Sequence, residues 1–136
     1  MMSGTVELPA GFQASSIISL GSGTPYHTFN CLAGFDRCVI SLNSIRPEKQ
    51  SFLGLKEFAY RSVDLRLGWD VPRFSNRARV SLIGEAFNMF NFDNNGCLEA
   101  WAGEPGNPRP TFMQPTCQFN TQRFQVGARV AFGRHD

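Results

Sequence analysis

The chain has 136 residues, 42% hydrophobic, 18% charged and 12% aromatic, with 13 Phe, 13 Gly and a net charge of +2. This is enough for one modest domain, but charge falls below the roughly 25% usual in soluble domains and Phe and Gly run high, a balance that favours a β-rich protein. The charge is too small, and the basic residues too scattered, for a nucleic-acid surface.

No apolar run approaches the roughly 20 residues of a transmembrane helix, although alternating membrane strands leave only a weak hydropathy trace. The opening residues MMSGTVELPAGF lack a basic segment followed by an apolar one, so no secretory signal is read there. The expectation is a cytosolic protein or a piece of a longer one.

Four segments read as strands. The first, about Gly11 to Leu20, sets Phe12, Ala14, Ser16, Ile18 and Leu20 against Gln13, Ser15 and Ser19. The second, about Arg61 to Val71, alternates Val63, Leu65, Leu67, Trp69 and Val71 with Asp64, Arg66, Gly68 and Asp70. The third, about Arg77 to Phe90, places Ala78, Val80, Leu82, Gly84 and Ala86 opposite Arg79, Ser81 and Glu85, and its phase blurs from Phe87 onward as at a bulge or a strand exit. The fourth, Arg123 to Phe132, is strictly periodic: Phe124, Val126, Ala128, Val130 and Phe132 on one face, Gln125, Gly127, Arg129 and Ala131 on the other. Ten tilted residues suffice to cross a bilayer, which takes about 9 to 11.

The connections alternate in length. Only Pro72 to Asn76 separates the second and third strands, whereas Gly21 to Tyr60 and Asn91 to Gln122 are long and rich in Gly, Pro, Asn and Cys. Short turns at one end and long loops at the other are the asymmetry of an outer-membrane barrel, periplasmic and extracellular respectively. Asp64, Arg66, Asp70, Arg79, Glu85 and Arg129 then belong on the lumen side, because a Lys or Arg facing lipid at mid-membrane costs about 2–4 kcal/mol. A soluble antiparallel sheet with one solvated face alternates identically, so a soluble β-sandwich binding module remains the alternative.

Gln125, Gly127, Val130 and Phe132 resemble the C-terminal assembly signal of bacterial outer-membrane barrels, a polar residue, a glycine and two hydrophobic positions ending in an aromatic. Four residues, Gly133 to Asp136, follow that aromatic, whereas such barrels commonly end on it. The segments LPAGFQASSIISLGSGTPY, YRSVDLRLGWDV, RVSLIGEAFNMFNFDN and RFQVGARVAF, in that order, resemble the last strands of TonB-dependent outer-membrane receptors of the carboxypeptidase-regulatory-like class. The resemblance implies an all-β fold: antiparallel up-and-down strands forming part of a transmembrane β-barrel wall, about four of them with two long loops.

It also implies energised ligand uptake in the outer membrane of a Gram-negative-type bacterium by a 22-stranded barrel with an N-terminal plug. The implied partners are outer-membrane lipid, the barrel-assembly machinery, the remainder of the barrel, the plug, and TonB through that plug. The plug and most strands are not among these residues, and four strands cannot close a barrel, so residues 1–136 are expected to be a C-terminal fragment of such a receptor, not functional alone.

Cys31 and Cys38 fall in the first long loop and Cys97 and Cys117 in the second. An even count in segments expected to face an oxidising exterior suggests disulfides, most simply Cys31–Cys38 and Cys97–Cys117 among three connectivities, with free thiols and a metal site as alternatives. No Cys-x-x-Cys occurs, so zinc is poorly supported, and neither a metal nor a cofactor is expected.

Asn91 to Gly96 imitate half a calcium loop, but its twelfth position is Ala102 where a bidentate Glu is needed, which favours a polar turn. His27 and His135 are isolated, no Gly-x-Ser-x-Gly elbow exists, and an Asp64–Glu85 carboxylate pair is better read as routine lumen charge, so no catalytic residue is proposed. Trp69 with Phe74, and Phe87, Phe90 and Phe92 at the opposite strand ends, are expected to form aromatic girdles. Trp101, Arg109, Phe112, Glu99 and Glu104 are conceivable ligand contacts in the second loop, though the sequence names no ligand.

Overall fold

The computed structural model describes residues 1–72 and 78–132, the side chains of Asn43 and Ser44 excepted. The fold is all-β and antiparallel, with two 3-10 turns and no α-helix among the described residues. In chain order the strands are β1 (Met2–Leu8), β2 (Phe12–Gly21), β3 (Tyr26–Asn30), β4 (Val39–Ile45), β5 (Gln50–Ser51), β6 (Glu57–Phe58) and β7 (Tyr60–Asp70). They continue as β8 (Ala78–Phe87), β9 (Asn95–Leu98), β10 (Gly103–Glu104), β11 (Asn107–Pro108), β12 (Pro115–Gln118) and β13 (Arg123–Phe132).

Two compact units divide the chain. The first comprises Met1–Ser19, Ser62–Phe92 and Asn120–Asp136, the second Leu20–Arg61 and Asp93–Phe119. A five-stranded sheet in the order β1-β2-β7-β8-β13 dominates the first, with β1 and β13 at its open edges. Five strands correct the four expected from the sequence. Residues 2–8 do alternate, Met2, Gly4, Val6 and Leu8 against Ser3, Thr5 and Glu7, and pair in seven uninterrupted steps with β2 from Met2↔Ile18 to Leu8↔Phe12.

The turn between β1 and β2 explains Leu8-Pro9-Ala10-Gly11. Ala10 and Gly11 both take positive φ, 62° and 81°, a region in which only glycine is unstrained. A side chain at Gly11 would stand 2.5 Å from the carbonyl oxygen of Asp70. Trp69 fastens the turn by donating its indole N–H to the carbonyl of Ala10 at 3.1 Å.

Strand β8 ends at Phe87, three residues short of the expectation, because Asn88 turns to φ 47° and Met89 donates to the carbonyl of Val63 at 2.8 Å instead of continuing the ladder. Only Pro72 of the short turn after β7 falls among the described residues. Arg73 to Asn76, including the girdle candidate Phe74, lie outside them, as do Arg77 and Gly133 to Asp136, including His135.

The second unit corrects the picture of two plain loops. It contains four two-stranded ladders, β3 with β4, β5 with β6, β9 with β12 and β10 with β11. Its core is small: Cys31, Phe52, Ala59 and Ala102 are buried beside Thr28 and Arg61. Backbone bonds knit the two long connections together, Phe29 N–H to Ala100 O at 2.9 Å and Ala102 N–H to Phe29 O at 2.8 Å, around a parallel bridge between Phe29 and Trp101.

Candidate functional site

Register assigns each sheet residue to a face, because directly paired residues share one. Three rows cross β7, β8 and β13 on the first face: Leu65–Ala86–Phe124, Leu67–Gly84–Val126 and Trp69–Leu82–Ala128. Val80 with Val130 and Ala78 with Phe132 extend it. Phe12 stacks on Trp69 with ring centroids 5.4 Å apart and planes 8° apart, which brings β2 onto the same face. Through Leu8↔Phe12 and Val6↔Ala14, β1 joins it too. No charged residue occurs at these positions.

This apolar face is exposed. Val126 is 91% exposed, Phe132 82% and Phe124 69%, and Met2, Val6, Leu8, Leu67, Leu82 and Val130 are exposed as well. A contiguous exposed apolar surface of this extent marks an interaction surface in a natural protein.

Apart from Arg61, which shares the parity of Leu65 at the start of β7 and is buried, the sheet's charge lies on the other face. Arg66, Glu85 and Gln125 form one row, in which the Arg66 guanidinium stands 3.5 Å from Glu85 and the Gln125 amide donates to the same carboxylate. Asp70, Ser81 and Arg129 form another, with Ser81 Oγ donating to Asp70 at 2.5 Å. Arg79 pairs in register with Ala131, and Gly68, Ile83 and Gly127 make a neutral row between the charged ones. Asp64 and Glu85 do not form a carboxylate pair but serve separate partners, since Asp64 accepts from Ser62 Oγ and from Asn88 N–H, both at 2.8 Å.

Phe87, expected in an aromatic girdle, falls on the charged face. It pairs in register with Arg123, whose guanidinium lies 5.4 Å from the ring centroid, a cation–π contact. Phe124 takes its place on the apolar face at that end, while Phe12, Trp69 and Phe132 occupy the turn end. Phe90 and Phe92 pack against each other at 5.7 Å. Of the proposed assembly signal, Gln125 and Gly127 lie on the charged face and Val130 and Phe132 on the apolar one.

A buried knot of amides closes the loop end of the first unit. Asn88, fully buried, donates from Nδ2 to the carbonyls of Phe92 and Asn120, each at 2.8 Å, and accepts from Phe92 N–H at 2.9 Å. Asn120 Nδ2 donates to Ser62 Oγ at 2.7 Å. In the second unit Asn94 pairs with the backbone of Arg61 in both directions at 2.7 Å. These satisfied, buried groups are structural. They also absorb the calcium-like stretch: Asn91 N–H returns to Asn88 O, Asp93 accepts from Gln118, and Asn95 and Gly96 enter β9. Among the described residues no group of three or more His, Cys, Asp or Glu is placed to hold a metal ion.

Disulfides join Cys31 to Cys38 and Cys97 to Cys117. The first closes the hairpin of β3 and β4 just beyond the pair Asn30↔Val39, and the second bridges directly paired residues of β9 and β12. The conceivable ligand contacts serve the second connection's own architecture. Glu99 meets Arg109 at 3.6 Å and accepts from Trp101 N–H at 3.2 Å, Glu104 accepts from Asn107 at 3.5 Å, and Phe112 N–H returns to Arg109 O at 3.2 Å. His27 lies exposed on β3. Tyr26 on the same strand donates its hydroxyl to the carbonyl of Gly96, and burial raises its pKa.

Comparison with protein-family models, with curated proteins and with solved structures gave no match.

Proposed function

We propose that the five-stranded sheet is a stretch of transmembrane β-barrel wall, from the C-terminal part of a TonB-dependent receptor that takes up a ligand across the outer membrane. The observation that carries this reading is the division of faces: an exposed apolar surface across five strands that carries no exposed charge, with the sheet's charges on the opposite side except for the buried Arg61 at the start of β7. In water such a surface is costly, at roughly 25 cal/mol per Å² of apolar area left uncovered. Against lipid it is the required surface, and the charged rows then face a polar lumen.

Three further features support it. β2, β8 and β13 have 10 residues each and β7 has 11, the length that a tilted membrane strand needs. Phe12, Trp69 and Phe132 mark one end of the apolar face and Phe124 the other, as interfacial girdles do. Short turns link β1 to β2 and β7 to β8 at one end, while both long connections leave at the other. The wall would act with lipid, the assembly machinery, the remaining barrel and a plug through which TonB acts, and the two long connections would be extracellular.

The chain expressed alone and refolded with phospholipid vesicles should float with them in a density gradient, and should aggregate without lipid or detergent. A monodisperse, cooperatively melting protein in plain buffer would overturn the reading and favour the soluble binding module.

A further inference from the structure

We infer that the second unit captures an extended polypeptide segment, which adds as a further strand along the outer edge of β4. The inference concerns that unit by itself and does not depend on the membrane-wall reading. Three stretches of chain already lie side by side there. β3 pairs antiparallel with β4 through Thr28↔Ser41, Phe29↔Ile40 and Asn30↔Val39. On its other side β3 takes up the second connection, with Phe29 N–H donating to Ala100 O, Ala102 N–H to Phe29 O and Cys31 N–H to Gly103 O. Both edges of β3 are thus occupied, whereas among the described residues no strand pairs with the outer edge of β4.

Backbone direction defines what that edge offers. Successive residues of a strand turn their N–H and C=O groups to opposite sides. Phe29 spends both of its groups on Ala100 and Ala102, so Thr28 and Asn30 bond toward β4, where Ser41 and Val39 answer them. The N–H and C=O of Ile40 and the N–H of Leu42 therefore point away from β3, to where a fourth strand would lie. Sheet edges are commonly blunted with proline or charge. β4, Val39-Ile-Ser-Leu-Asn-Ser-Ile45, has neither, and Val39, Ile40 and Leu42 are exposed.

The side chains narrow the occupant. Directly paired residues share a face, so Trp101, Phe29 and Ile40 form one apolar row across the three stretches, with Leu42 beside it. A strand added next to Ile40 extends this row with an apolar residue there and at every second position. Arg46, directly after β4, bonds to neutral oxygens, Ser22 Oγ at 3.1 Å and Gly23 O at 3.0 Å, and so leaves a positive charge for an acidic residue at the end of the added segment. A second copy of β4 paired antiparallel along its length would bring Arg37 and its neighbour Asp36 to that end, with no net negative charge. The Cys31–Cys38 disulfide closes the hairpin just beyond Asn30↔Val39. It holds the edge extended in advance, which lowers the ordering cost of binding.

The test uses the full chain, refolded in detergent with both disulfides intact, and a fluorescein-labelled peptide, Asp-Val-Thr-Val-Thr-Val-Asp, read by anisotropy. Two further peptides carry N-methyl groups on alternate amides, one on the valines and the other on the threonines. A strand pairs through one set of amides only, so the expected result is binding of the parent peptide and of one methylated peptide, and none of the other. Ile40→Pro removes an outward N–H and no bond to β3, and should weaken binding at least about tenfold. Ile40→Lys should do the same through an edge charge, whereas Ile40→Val should bind as the parent chain does. Equal binding of both methylated peptides, undiminished binding by both Ile40→Pro and Ile40→Lys, or no binding of the parent peptide would overturn the inference. A β4-dependent dimer in sedimentation that excludes the peptide would assign the edge to a second copy and overturn it too. Failure of the chain to float with vesicles would leave it standing.

Discussion

At the scale of single residues, asparagine does what no other residue could do at the loop end of the sheet. Asn88, Asn91 and Asn120 hold φ of 47°, 51° and 48°, a left-handed conformation that asparagine tolerates because its short amide bonds locally. Asn88 supplies two donors and an acceptor at zero exposure. Asn88→Ala leaves these partners unmet and keeps the strained φ, so it should lower stability by about 2–4 kcal/mol in urea unfolding of the detergent-refolded protein. Asn88→Gly should recover about 1 kcal/mol by relieving φ alone.

Tyr26 gives a pH signature in the second unit. Its folded pKa lies above 10, so its contribution is intact below pH 10 and is lost as pH rises through the folded value. Phenolate absorbance against pH should show one tyrosine titrating late, and Tyr26→Phe should abolish that late step. Little of the amide knot was legible in the sequence. Asn88 and Asn91 lie where the alternation of the third strand blurs, but their meaning lies in partners such as Asp64, Ser62 and Asn120, separated along the chain by 24 to 58 residues.

At the scale of elements, periodicity was a good guide where strands were long. β2, β7 and β13 fall within one residue of the expected limits because each carries ten or eleven residues of alternation. β1 alternates too, but Gly4 and seven short steps give a faint signal and its role depends on the turn at Ala10 and Gly11. The ladders of the second unit, two to seven residues long, are too short to show a period. Face assignment yields a paired prediction. Ala128→Arg, on the apolar face near the middle of β13, should cost about 2–4 kcal/mol in lipid, whereas Gly127→Arg on the charged face should change stability by less than about 0.5 kcal/mol. Equal effects in vesicles would refute the division of faces.

The two disulfides matter at this scale as well, because isolated two-stranded ladders are marginal on their own. By chain entropy, the bond spanning 20 residues, Cys97–Cys117, contributes about 3 kcal/mol and the bond spanning 7, Cys31–Cys38, about 2 kcal/mol. Reduction should therefore open residues 26–58 and 95–118 to limited proteolysis while leaving β8 and β13 resistant in vesicles. Cleavage at the same rate with and without reductant would count against a stapled second unit.

At the scale of the whole molecule, the proposed wall turns one face of a five-stranded sheet to lipid and the other to water. It is most directly tested along β13 by single-cysteine substitutions from Arg123 to Phe132, each carrying an environment-sensitive fluorophore, in the protein reconstituted into vesicles with its native disulfides intact. The expected result is a period of two: positions 124, 126, 128, 130 and 132 report hydrocarbon and are quenched by lipid-borne quenchers, while positions 123, 125, 127, 129 and 131 report water and are quenched from the aqueous phase. A scan without alternation, with all ten positions reporting water, would contradict it.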